Sequence, residues 1–78
     1  MPRLTPVSWK VLESIFIKDG FIFEGQVGSH RTYSKPGIAR PVVIPSHSKP
    51  VSIDAIRSNM KTAGMSRERF FELLDLCK

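Results

Sequence analysis

A single cysteine, Cys77, stands in the 78 residues. One thiol excludes an intrachain disulfide and leaves no framework for a zinc site. It fits a reducing cytoplasm, which is the expected location. No apolar run approaches the roughly 18 residues of a membrane span, so no membrane role is expected. The start, Met1-Pro2-Arg3-Leu4-Thr5-Pro6, has no signal-peptide core or cleavage site. Acidic residues are scarce: seven Asp and Glu stand against twelve Lys and Arg, a net charge of +5 and a pI near 9.9. Such a surface attracts polyanions, whether nucleic acid, an anionic membrane face or an acidic protein. The basic residues are dispersed rather than run together as a tail. With 41% hydrophobic residues the chain has enough apolar content to fold. Its length suits one domain over residues 1–78 with a thin core, burying roughly 60% of the unfolded surface.

The pattern reads α-β-β-β-α-α, without repeats. A first helix is expected from an N-cap at Thr5 with Pro6 in the first position. Val7, Val11, Leu12, Ile15 and Phe16 form its apolar stripe, Trp9 widens it, and Asp19-Gly20 ends it. Three short strands follow: Phe21–Gln26, His30–Lys35 and Arg40–Ile44. Gly28-Ser29 and Lys35-Pro36-Gly37 are the turns between them. The short connections imply an antiparallel meander, with Pro41 and Pro45 marking the third strand as an edge. Ser52 and Ser66 are N-caps of two closing helices, with Gly64 as the C-cap between them. Ile53, Ile56, Met60 and Ala63 stripe the first, and Phe70, Leu74 and Cys77, with Phe71 beside them, the second. The expected fold class is α+β, a three-stranded antiparallel sheet with helices on one face. Phe21, Phe23, Ile15 and Ile56 are expected in the core. The other face is left free as a platform for a polyanion.

Few residues suit catalysis. His30, His47, Cys77 and the carboxylates lack metal-motif spacing, and no serine sits in a nucleophile elbow. Gly25 and Gly28 do not form a phosphate loop, and nothing brings Glu24 and Asp54 together. Gly28-Ser29-His30 stands apart. Gly28 permits a sharp turn and a close ligand approach, and Ser29 offers a hydroxyl and an N–H. His30 then stands at a strand start, carrying the side chain best suited to proton transfer near neutral pH. RNA cleavage requires a base for the 2′-OH, an acid for the leaving 5′-oxygen and cations for the phosphorane charge. Arg31 and Lys35 share the strand with His30, and Arg40 lies in the next. From the residues alone, a lone strand histidine is more often a surface or packing residue. Tyr33 and Trp9 read better as packing residues than as base-stacking platforms. Lys10, Lys49, Arg57, Lys61 and Arg69 read as solvated charges with phosphate contact as the alternative.

The ordered features resemble the HicA toxins, small mRNA-cleaving proteins of toxin–antitoxin pairs. The pieces that carry the resemblance are Lys18-Asp19-Gly20-Phe21, Gly28-Ser29-His30 and Pro41-Val42-Val43-Ile44-Pro45-Ser46-His47. Ile56 to Gly64 and Met65 to Phe70 complete the series. The resemblance implies a fold like that of double-stranded-RNA-binding domains. It implies metal-independent cleavage of mRNA by one histidine, which falls on His30, and requires no cofactor. It also implies a HicB-like antitoxin that covers the site in a hetero-complex. Ser29, Arg31, Lys35, Arg40 and His47 are then the candidate RNA contacts, with His47 also a candidate second acid or base. Where the family often begins the next helix with Gly-Thr, this chain has Asp54-Ala55. A non-catalytic RNA-binding module of the same fold is the alternative, and a protein-interaction domain meeting an acidic partner is a third reading.

Overall fold

The computed structural model describes residues 3–77. The reading of Met1 and Pro2 as part of a leaderless start lies outside them. The order is α1 (Trp9–Lys18), β1 (Ile22–Val27), β2 (His30–Ser34), β3 (Val42–Pro45), α2 (Ile53–Ala63) and α3 (Arg67–Leu76). The class is α+β, with a three-stranded antiparallel sheet in the order β1-β2-β3, as expected.

Helix α1 starts later than the sequence suggests. Ser8, not Thr5, is the N-cap, its hydroxyl accepting from the Val11 N–H. Pro6 and Val7 lie before the helix because Val7 is held elsewhere. It forms an antiparallel bridge with Val51, whose N–H donates to the Val7 carbonyl at 2.7 Å. The bridge ties the N-terminal segment to the start of α2 and seals Val51 into the core. At the other end, Gly20 has φ +105°, and Phe21 N–H returns to the Phe16 carbonyl. Ser52 and Ser66 cap α2 and α3 as read, and Gly64 ends α2 in the left-handed conformation.

The core joins Leu12, Ile15 and Phe16 of α1 with Phe21, Tyr33, Val42 and Ile44 of the sheet side. Ile56, Met60 and Ala63 of α2 and Phe70 and Leu73 of α3 complete it. Leu73 takes a buried place that the sequence reading gave to Leu74 and Cys77, which are only half-buried. Phe23 is a second correction: it is 43% exposed. It lies on the same side of the sheet as its cross-strand partner Tyr33, but α1 and α2 pack over β3, at the opposite edge of the sheet from β1. Strand β3 starts two residues later than read and ends one residue later, so Pro45 lies within it and pairs with His30. As the other edge, β3 leaves a carbonyl pointing away from β2. The buried Asn59 amide of α2 donates to that Val43 oxygen at 2.9 Å, satisfying a group that would otherwise be orphaned.

Side chains alternate across a strand. Arg31 and Tyr33 of β2, with Val42 and Ile44 opposite them, face the helices. His30, Thr32 and Ser34 face the other way, beside Ile22, Val27, Val43 and Pro45. On that second side Ile22 is 60%, Val27 82% and Val43 41% exposed, so no helix covers it.

The candidate active site around His30

Val27 and His30 are paired across a two-residue turn, Gly28-Ser29. Gly28, the first turn residue, has φ +59°, the conformation a tight II′-type hairpin demands there. His30 is exposed at the first position of the central strand, between Val27 and Pro45. It therefore stands on the helix-free side, on backbone held from both flanks.

The turn is tied to the loop that leaves β3. Ser46 donates to the Ser29 carbonyl twice, from its N–H at 2.5 Å and from its hydroxyl at 2.9 Å. The Gln26 amide donates to the Gly28 carbonyl at 2.8 Å and to the Ser46 hydroxyl at 3.5 Å. This clamp brings the segment Pro45-Ser46-His47 alongside Ser29-His30. His47 and Lys49, both exposed, leave β3 at the same end of the sheet.

The cations assigned to this site by sequence proximity are elsewhere. Arg31 points to the helix side. It pairs with Glu13 of α1 at 3.1 Å, and its Nε donates to the Tyr33 hydroxyl at 2.9 Å. Its second terminal nitrogen donates to the side-chain amide oxygen of Gln26 at 2.8 Å. The guanidinium lies 4.3 Å from the Phe23 ring centre and 5.1 Å from that of Trp9. The bond to Tyr33, then the charge of Glu13, raise the Arg31 pKa against the opposing effect of desolvation. Lys35 pairs with Asp19 at 3.4 Å, on the helix side as well, and Arg69 of α3 shares that carboxylate. Arg40 is exposed and precedes β3. His30 pairs with the last residue of that strand. At about 3.3 Å per residue the length of β3 alone separates them by about 10 Å.

Tyr33 is fully buried, as its reading as a packing residue required, and it is also polar in its partners. Its hydroxyl donates to Glu13 in a short hydrogen bond and accepts from Arg31. Burial first, then the bond to Glu13, push its phenol up to about 12, while Arg31 pulls in the other direction.

Trp9 packs half-buried against the core with Arg31 on its ring. Gln26, Ser46 and Glu13 were not singled out in the sequence. Gln26 is two residues before a glycine turn, a position from which a side chain can reach the turn carbonyl, and that spacing was the available signal. Glu13 carried none: its partners are 18 and 20 residues away. Among the described residues no three His, Cys, Asp or Glu side chains are grouped as metal ligands would be. No helix among them is long and apolar enough to cross a membrane.

The family model described as the HicA toxin of bacterial toxin–antitoxin systems matches residues 9–65. The matched stretch runs from the first residue of α1 through the sheet and α2, and it contains the clamped turn and His30. No curated protein matches the chain.

Proposed function

The chain belongs to the HicA toxin family of bacterial toxin–antitoxin systems, and on that premise we propose that it is a metal-independent endoribonuclease that cleaves mRNA with His30. The observation that carries this reading is the position of His30. It is exposed on the uncovered side of the sheet, at a strand start fixed by a glycine turn and by pairing on both sides. A proton-transfer group needs that combination of access and rigid placement.

In the proposed reaction the imidazole takes the proton of a 2′-OH. The 2′-oxygen attacks the adjacent phosphorus, and the bond to the 5′-oxygen breaks. That oxygen leaves with a proton returned by the imidazolium or supplied by His47. Ser29 offers polar groups to the phosphate. Arg40 attracts the RNA backbone from a distance, because the strand length keeps it from the reacting phosphate. Arg31 and Lys35 are occupied by Glu13 and Asp19 on the opposite side, so His47 and Lys49 are better placed to offset charge near His30. The apolar rim of Ile22, Val27 and Val43 accepts unstacked bases, which suits single-stranded or otherwise accessible message. The whole chain acts as one domain in the cytoplasm, and a HicB-like antitoxin neutralises it by covering the His30 face.

The test is His30→Ala, expressed without antitoxin. It should fold, bind RNA within a few-fold of wild type through its phosphate contacts, and lose about 10²–10⁴ in cleavage rate, with growth arrest lost too. Wild-type cleavage by the folded variant would refute the assignment. His47→Ala should lose less.

A further inference from the structure

Arg31 and Gln26 form a continuous polar link between the helix side of the sheet and the turn that carries His30. Glu13 of α1 holds the Arg31 guanidinium, and Arg31 donates to the Gln26 oxygen at 2.8 Å. The other end of the same amide donates to the Gly28 carbonyl and the Ser46 hydroxyl. An amide has one acceptor oxygen and one donor nitrogen. Here both are used, so the Arg31 bond fixes which end of Gln26 faces the turn.

The strand is built to allow this. The β1–β2 register shifts between Phe23 and Gly25, leaving Glu24 as the extra residue, fastened by a short hydrogen bond from the Ser34 hydroxyl. Without that bulge, Phe23 and Gln26, three residues apart, would face opposite sides. With it, both face the helix side and both touch Arg31, one by its ring and one by its amide. The rephasing also sets Val27 on the open side, paired with His30.

We infer that Gln26, oriented by Arg31, is a positioning residue for His30, acting through the main chain of the Gly28-Ser29 turn and its junction with Ser46. This rests on the assignment of His30 as the catalytic group. Gln26 touches no reacting atom in this scheme. It sets where the imidazole starts from, and small displacements of a catalytic group are expensive in rate.

The test is a cycle of Gln26→Ala, His30→Ala and the double variant, with single-turnover cleavage of a labelled transcript, RNA affinity and amide exchange at Ser46. Gln26→Ala should lower turnover about ten- to a hundredfold, leave KM within about twofold as a transition-state effect does, and speed exchange of the Ser46 N–H. In the His30→Ala background Gln26→Ala should cost nothing further, because its effect passes through His30. Gln26→Glu keeps the acceptor for Arg31 and loses the donations to Gly28 and Ser46. It should be as slow as Gln26→Ala, and it carries the test if the alanine variant is unstable. Wild-type turnover in both Gln26 variants, with His30→Ala inactive, overturns the inference and leaves His30 standing. An equal further loss in the His30→Ala background overturns it too, since Gln26 would then act elsewhere. Full activity in His30→Ala removes the assignment and this inference together.

Discussion

His30 and Arg31 are neighbours in β2 that work on opposite sides of the sheet: His30 is exposed where no helix packs, while Arg31 is locked to Glu13 and Tyr33. Adjacent positions in a strand point to opposite faces, so nearness in sequence separates these two side chains instead of uniting them. Their substitutions should therefore fail differently. His30→Ala should change unfolding stability by only about 0.5 kcal/mol, as surface changes do. Arg31→Ala leaves Glu13 without its ion pair and should lower the unfolding midpoint more. Tyr33→Phe removes the hydroxyl that bridges Arg31 and Glu13 and should cost about 1–2 kcal/mol. Denaturant melts of the three variants check the order. A His30→Ala protein less stable than Tyr33→Phe would place His30 in the packing.

Tyr33 is the only tyrosine, so phenolate absorbance reports this one group. Its pKa in the folded chain is about 12, against about 10 in an unfolded chain. The folded state thus holds the proton more tightly. Stability from this group is complete below pH about 10 and is lost as pH rises from there through about 12. An absorbance titration should show a late midpoint coupled to loss of structure. Glu13→Gln, which removes the charged acceptor, should move it down. A midpoint near 10 in the folded wild type would contradict the buried bridge.

Gly28 has φ +59° with open space where a Cβ would stand. The obstacle to a side chain is therefore backbone strain alone. Gly28→Val should cost about 1–2 kcal/mol and slow cleavage by displacing His30. Gly28→Asn, whose side chain tolerates this conformation, should be milder on both counts. Equal behaviour of the two variants would mean the turn relaxes without consequence.

Cleavage should survive chelation, since the proposed chemistry needs only an imidazole and cationic side chains. The check is the rate on a labelled transcript with and without EDTA. Loss of activity in EDTA, restored by a divalent ion, would replace the histidine mechanism with a metal-assisted one.

RNA binding should weaken with salt, with log K falling against log[salt] by roughly 0.7 for each phosphate neutralised on a single strand. Arg40→Ala and Lys49→Ala should each reduce that slope. Affinity that does not change with salt would refute backbone-led binding.

The sequence by itself determined the element order, the antiparallel meander, the Ser52 and Ser66 caps and the glycine stop at Gly64. These are local matters: a hydroxyl reaches an N–H three residues on, and a left-handed residue ends a helix. It also isolated Gly28-Ser29-His30, because a glycine turn before a polar strand start is visible in one stretch of chain. The tertiary structure decided the rest. Thr5 offered a legitimate cap, but Val51, 44 residues after Val7, pulls the segment into a bridge and moves the helix start to Ser8. Phe23 has a core residue's alternation, yet the helices pack over β3 at the other edge of the sheet, and its ring meets the Arg31 guanidinium instead. The bulge at Glu24 resets the alternation that any period-two reading assumes. Arg31 looked like a partner for His30 because charge is legible in a sequence, whereas the place of a counter-charge is not. Glu13 claims Arg31 only after α1 folds across the sheet, and that contact comes from packing an apolar stripe rather than from any motif.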